Sequence, residues 1–246
     1  MKTLLIGNGY WGSIVKSKLE VQTDLLYIAN SKDNLDDILS KFDVDYVFVC
    51  TPTETHYDIV KKCLEYNKNV FCEKPFTGDF DKATELFELS NKNNLNIFVD
   101  NIFLYRNEYQ NISNKEFNKI KFVWNKYEDT FNENLFNRLL YHDLYLLLDL
   151  SNNNWEVNYC NVSEDKLSLS LFSGDLKSEF NYDRTYLNGK EKKIIIDDVL
   201  INFSNPLNDP LSEIINDLKN NNIEFNDNKK ITLNTIKLLN KIQKNI

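Results

Sequence analysis

The residues best suited to chemistry lie in the first third of the chain. Cys72-Glu73-Lys74-Pro75 closes a short apolar run, Asn69 to Phe71. Upstream, Gly7-Asn8-Gly9-Tyr10-Trp11-Gly12 follows a strand-like run and opens a helix-like one. That is the setting a dinucleotide fingerprint requires: one glycine for the tight turn, one for close backbone approach to a pyrophosphate, one for helix–strand packing. The helix N-terminus adds backbone N–H groups and a favourable dipole for phosphates. A lysine fixed at a strand end beyond such a fingerprint sits where a nicotinamide ring is expected. Its charge can stabilise the alkoxide that develops as hydride leaves. Lys74 is therefore the candidate for polarising a substrate hydroxyl or carbonyl.

Two further segments frame the same cofactor. The fingerprint usually continues with an acid at the end of the second strand, bonded to the ribose 2′-OH. Here Asn30-Ser31-Lys32 follows Ala29 instead. Asn30 can bond a ribose hydroxyl without repelling a phosphate, and Ser31 and Lys32 can accept the 2′-phosphate of NADP, so NAD and NADP both stay open. Cys50-Thr51-Pro52 ends the third strand-like run. Pro52 directs the chain out of the sheet at its C-terminal edge, where open α/β sheets bind ligands. His56, in the helix that follows, reads as a satisfied residue beside the cofactor rather than as a base.

The elements that must position these residues alternate. Strands are expected at Lys2–Ile6, Leu25–Ala29, Tyr46–Cys50, Asn69–Phe71 and Asn96–Val99, with helices near Trp11–Leu19, Leu35–Phe42, Thr55–Tyr66 and Asp81–Asn93. Strand–helix alternation with short connections implies a parallel sheet covered on both faces, a doubly wound Rossmann arrangement over residues 1–100. From residue 101 to 246 the pattern changes. Lys119–Tyr127, Lys166–Phe172, Leu176–Tyr182 and Lys192–Ile196 read as strands, with a turn at Asn188-Gly189. Leu139–Leu150 is a helix apolar on nearly every side, hence buried, and amphipathic helices close the chain near Leu211–Asn220 and Ile231–Ile242. Successive strands without intervening helices predict an α+β domain with a mostly antiparallel sheet.

Composition narrows the function classes. The 246 residues are 42% hydrophobic and 13% aromatic, as in globular proteins. The net charge of −8, with no basic cluster, argues against nucleic-acid binding. Cys50, Cys63, Cys72 and Cys160 form no CxxC pair, and with two histidines in the chain no metal site is expected. No apolar stretch is long enough to span a bilayer, and with Thr3-Leu4-Leu5-Ile6 reading as a strand no signal peptide is expected. A cytoplasmic protein with reduced thiols is expected.

Taken together, the Gly7–Gly12 fingerprint, Cys50-Thr51-Pro52 with His56, and Glu73-Lys74-Pro75 resemble the glucose–fructose oxidoreductase / inositol dehydrogenase / MocA family. Val99-Asp100-Asn101-Ile102-Phe103-Leu104-Tyr105-Arg106 looks like its crossover into a second domain, and Arg138 to Tyr145 like its histidine-bearing helix. The resemblance implies a Rossmann domain that binds NAD or NADP, including contacts from Cys50, Thr51 and Glu73. It also implies a substrate domain whose open sheet often dimerises, hence a homo-oligomer, dimer or tetramer. The implied reaction is hydride exchange between nicotinamide C4 and a CH–OH of a sugar or nucleotide-linked sugar, often in surface polysaccharide pathways. Lys74 would polarise the reacting oxygen and His142 would act as general acid/base, a role imidazole suits at neutral pH. Tyr105, Arg106, Arg138 and Tyr145 are the expected substrate contacts.

Arg138 departs from the family, many members of which carry an aspartate one turn before the histidine. An arginine there suits an anionic substrate. The second domain, from about Asn101, is also short. These departures motivate two other readings: a cofactor-binding regulator or partner subunit without catalysis, and a reductase of a non-sugar substrate.

Overall fold

The computed structural model describes residues 1–112, 116–127, 135–151 and 153–245, apart from the side chains of residues 137 and 138. The chain divides into two compact units, Met1–Ile102 with Pro210–Ile236, and Phe103–Asp209 with Lys237–Ile246.

The first unit is built on five parallel strands, β1 (Lys2–Ile6), β2 (Asp24–Ala29), β3 (Tyr46–Val49), β4 (Asn69–Cys72) and β5 (Ile97–Val99), in the order β2-β1-β3-β4-β5. Their near-continuous Leu, Val, Ile and Phe content follows from burial on both faces. Phe48, Phe71 and Phe98 occupy one register on β3, β4 and β5, and their rings stack at centroid distances of 4.6 and 5.7 Å. Between the strands run α1 (Tyr10–Gln22), α2 (Leu35–Lys41), α3 (Thr53–Glu65) and α4 (Phe80–Lys92). Asn34 and Asp79 cap α2 and α4 through their side chains. The strand order reverses direction between β1 and β3, so their C-terminal ends open the crevice where such sheets bind ligands.

In the second unit a short helix, α5 (Asn107–Gln110), precedes β6 (Lys119–Lys126). A π-helical turn at Phe136–Leu140 runs into α6 (Tyr141–Leu150). The strands β7 (Glu156–Val162), β8 (Lys166–Ser173), β9 (Leu176–Asp183), β10 (Lys190–Ile196) and β11 (Val199–Asn202) complete a sheet in the order β11-β10-β6-β9-β8-β7. It is antiparallel except for the parallel β6–β9 pair. One face is apolar, with Ile120, Phe122, Leu169, Leu171, Phe180 and Ile194 buried. The opposite face carries charge, including the ion pairs Lys119–Glu179 (2.7 Å) and Lys166–Asp183 (2.9 Å).

The chain ends in α7 (Pro210–Asn220) and α8 (Phe225–Gln243). Within the first unit, Asn228 of α8 holds both backbone groups of Val99, accepting from its N–H (2.8 Å) and donating to its carbonyl (2.9 Å). The expected fold class therefore holds: a Rossmann parallel sheet and a second, mostly antiparallel sheet. The second sheet has two strands more than the pattern revealed. Both β7 and β11 are edge strands with little burial, so neither shows the alternation that marks a half-buried strand.

Candidate active site

Each fingerprint glycine does something different. Gly7 turns the chain out of β1 with φ +94°, and a Cβ there would lie 2.5 Å from the Cys50 carbonyl oxygen. Gly12 brings α1 against that turn: its Cβ would lie 2.3 Å from the Gly7 carbonyl oxygen. A Cβ on Gly9 would meet nothing within 4 Å. Gly9 is the N-cap of α1 and offers no side-chain cap to the helix N–H groups. The result is a bare, positively polarised cradle with open space at its mouth, which fits a pyrophosphate. Asn8 and Tyr10 are exposed beside it, and the indole Nε1 of Trp11 is buried with no hydrogen-bond partner among the described residues.

At the end of β2 the turn is built by a residue the sequence reading passed over. Asp33 accepts the Asn30 N–H (2.7 Å) and the Tyr27 hydroxyl (3.2 Å), while Asn30 Oδ1 accepts the Lys32 N–H (3.0 Å). The one acid near this strand end thus closes the turn, and Asn30, Ser31 and Lys32 are exposed. An Asx turn is a local signal, so Asn30 with Asp33 three residues on was the pattern to notice.

His56 is buried between two loops, with Nε2 2.8 Å from the Thr51 carbonyl and Nδ1 2.9 Å from the Pro75 carbonyl. It ties the β3–α3 connection, Cys50-Thr51-Pro52, to the turn that carries Lys74. Burial lowers its pKa, an effect opposed by the two carbonyl contacts. The Cys50 and Cys72 thiols are held well above their usual range by burial, so neither is a nucleophile at neutral pH.

Lys74 follows β4 and is half-buried, and the Lys74–Pro75 peptide is cis. Glu73 and Asp100 each directly follow neighbouring strands, since Cys72 pairs with Val99 and Asp100 N–H donates to the Cys72 carbonyl (2.9 Å). Both carboxyls are buried, and among the described residues no N–H or O–H donor faces Glu73 Oε1 or Asp100 Oδ1. A proton shared between the two acids resolves that. Burial, then the Asp100 charge, lifts Glu73 well above the carboxylate range. Asp100 is raised by burial to about 6, restrained by its hydrogen bond from Glu73 and by the Lys74 charge. At neutral pH Glu73 holds the proton, and the pair presents one negative charge to Lys74.

This has a measurable sign. An unfolded Asp100 releases its proton near 3.8, whereas the folded one keeps it to about 6. The native state binds more protons across that window, so stability falls as pH rises through it. Asp100→Asn is expected to lessen this slope, the buried Glu73 keeping a remainder, and to be more stable than wild type at neutral pH by roughly 1–3 kcal/mol. Urea midpoints measured from acid to neutral pH check this, and identical slopes in both proteins would refute the shared proton.

In the second unit His142 lies on α6 with Nδ1 2.9 Å from the Tyr145 hydroxyl. Phe103 stacks on the imidazole at 4.2 Å. Tyr145 is fully buried and Arg106 is 5% exposed. Arg106 donates to the Phe203 carbonyl (3.0 Å), pairs with Glu108 and lies over the Phe203 ring at 4.5 Å. Both side chains thus have partners within the unit, Tyr145 at Phe103 and His142, and Arg106 at Glu108 and Phe203. Tyr105 is half-exposed, and its carbonyl accepts from Asn208 (2.7 Å). The Arg138 side chain lies outside the described residues. Beneath α6, Asp143 forms a buried ion pair with Lys192 (3.2 Å) and accepts from Tyr182 (2.7 Å).

Among the described residues no cluster of His, Cys, Asp and Glu could hold a metal ion, and no helix is long and apolar enough to cross a membrane.

The fold and the glycine cradle define a dinucleotide-binding Rossmann protein. Residues 15–101 match the model of the oxidoreductase family with an NAD-binding Rossmann fold. The match begins just past the fingerprint, whose fit rests on the geometry above. Among curated relatives, the oxidoreductase YhhX of Escherichia coli (strain K12) is 37% identical over 81 residues, 33% of this chain and 24% of that protein. Matches to the first curated relatives span 17–24% of their lengths. Among solved structures, UDP-N-acetylglucosamine 3-dehydrogenase GnnA from Acidithiobacillus ferrooxidans superposes with a TM-score of 0.85 at 15% identity, covering 100% of this chain and 97% of that one. The WlbA dehydrogenase from Thermus thermophilus, solved with NAD and UDP-GlcNAcA, gives 0.81 at 14% identity, covering 97% and 94%. The matched residues, 15–101, lie within the first unit and make up about a third of the chain.

Proposed function

We propose that this chain is an NAD(P)-dependent oxidoreductase that moves a hydride between nicotinamide and the CH–OH or C=O of a nucleotide-linked sugar. The observation that carries the reading is the pairing, on one sheet edge, of a bare glycine cradle with Glu73-Lys74-Pro75. Nucleotide-sugar dehydrogenases among the structural relatives support the substrate class.

In this reading Gly7, Gly9, Gly12 and the first turn of α1 bind the pyrophosphate. Asn8, Tyr10, Trp11, Asn30, Ser31, Lys32, Cys50, Thr51 and Pro52 line the dinucleotide. The bound dinucleotide supplies hydride exchange at its nicotinamide ring. Lys74 stabilises charge on the reacting oxygen, and the Glu73–Asp100 pair and His56 hold its turn in place. His142 exchanges the hydroxyl proton. The first unit serves the cofactor, and the second serves the substrate and self-association in a cytoplasmic homo-oligomer.

Purified protein mixed with NAD or NADP and a panel of UDP-sugars, free sugars and cyclitols is expected to reduce the cofactor with UDP-sugars foremost, followed by nicotinamide absorbance. Turnover confined to simple ketones or imines would move the substrate out of the sugar class.

A further inference from the structure

Tyr145 sits three residues after His142 on α6, so the two side chains share a helix face. Two contacts of its hydroxyl carry the argument. Phe103 N–H donates to it at 3.0 Å, and His142 Nδ1 lies 2.9 Å from it. A backbone N–H can only donate, so the first contact occupies an acceptor site on the oxygen. The hydroxyl keeps one proton to give, and Nδ1 lies within hydrogen-bond distance of it. The ring itself is held in place: Phe103 stacks on it at 4.2 Å and 21°, and Tyr145 meets it edge-on at 5.6 Å and 72°. The Lys192 ammonium lies 4.1 Å from the far partner of that stack, the Phe103 ring. Phe103 is thus fixed from both its backbone and its ring.

We propose that Tyr145 is the positioning residue of His142: its hydroxyl, anchored by the Phe103 N–H, donates to Nδ1 and keeps the proton of the neutral imidazole on Nε2. A ring held this way offers a hydrogen-bond donor, which matches a carbonyl or other acceptor oxygen. To take a proton from an alcohol, Nε2 must first be bared, which requires Tyr145 to accept from Nδ1 instead. The resting ring therefore meets the substrate oxygen as a donor. This last step rests on the acid/base reading of His142; the tautomer is a property of the chain alone.

The test needs neither substrate nor cofactor. The chain has two histidines, so ¹⁵N-histidine labelling gives two side-chain signal sets in a long-range ¹H–¹⁵N spectrum, assigned with His142→Gln. Above the histidine titration, wild type is expected to show His142 with Nε2 protonated and Nδ1 bare and hydrogen-bonded. In Tyr145→Phe the Nδ1 signal should shift to that of a ring without this donor, with the His56 signals unmoved. A protonated Nδ1 in neutral wild type overturns the proposal, as do His142 signals unchanged by Tyr145→Phe. Should the variant fail to fold, which displaced His56 signals report, the wild-type tautomer decides alone. None of these outcomes depends on turnover, so a failure here is distinct from a failure of the proposed activity.

Discussion

The Gly9→Val variant is expected to keep the wild-type fold and lose nicotinamide dinucleotide binding. Gly9 has φ −73° and ψ −164°, a conformation valine adopts without strain, and a Cβ there meets nothing within 4 Å. Its thermal stability should stay within about 0.5 kcal/mol of wild type, as for an exposed substitution. The added methyls enter the space the bare helix end leaves for phosphate. Affinity for NADH, titrated by nicotinamide fluorescence, should fall by at least about 100-fold, equivalent to about 2.7 kcal/mol. Gly12→Ala should behave in the opposite way. Its Cβ would meet the Gly7 carbonyl oxygen at 2.3 Å, backbone against backbone, so neither side can yield. A stability loss of about 3 kcal/mol or more is expected, seen as a lower urea midpoint. Wild-type NADH affinity in a well-folded Gly9→Val protein would show that the cradle is only a turn.

The second large effect is on turnover. Lys74→Ala should lower it by about 100- to 1000-fold, the range for removing one group that stabilises oxyanion charge, while NADH binding is unchanged. The side chain is half-buried beside the Glu73–Asp100 pair. Removing its positive charge therefore also makes ionisation of that pair harder. Lys74→Arg separates the two consequences, since it keeps the charge and alters the reach. Rescue of the pair's titration without rescue of turnover places the requirement on the ammonium's position. Undiminished turnover in Lys74→Ala would remove Lys74 from the mechanism.

Much of the first unit was legible because its signals are local. Runs such as Val47-Phe48-Val49 and Ile97-Phe98-Val99 are buried on both faces and carry no competing polar residue. Gly7 and Gly12 are each required by close backbone contact, with the Cys50 and Gly7 carbonyls, whereas Gly9 leaves open space at the helix end. What escaped depends on partners distant in sequence. Nothing near Asp100 announces that it neighbours Glu73, because strand order decides that. The partner carbonyl of Arg106, at Phe203, lies 97 residues away. Tyr145 reads as one aromatic among 13 tyrosines until the Phe103 N–H is brought onto its hydroxyl. The start of α8 was placed at Ile231, whereas the helix begins at Phe225. Its first turns are polar because Asn228 is buried to serve the Val99 backbone, the reverse of the usual burial pattern. The return of Pro210–Ile236 to the first unit is likewise a matter of packing, with no mark in the local sequence.

The most direct test of the account is transfer of deuterium from C4-deuterated NADH or NADPH to a panel of nucleotide-linked keto-sugars, with cyclitol ketones and simple carbonyls alongside. Catalysis predicts deuterium on the carbinol carbon of a nucleotide-sugar product, drawn from one face of the nicotinamide and nearly absent with Lys74→Ala. A protein that binds the dinucleotide tightly and passes deuterium to no member of the panel would contradict it, and would be a cofactor-binding subunit without catalysis.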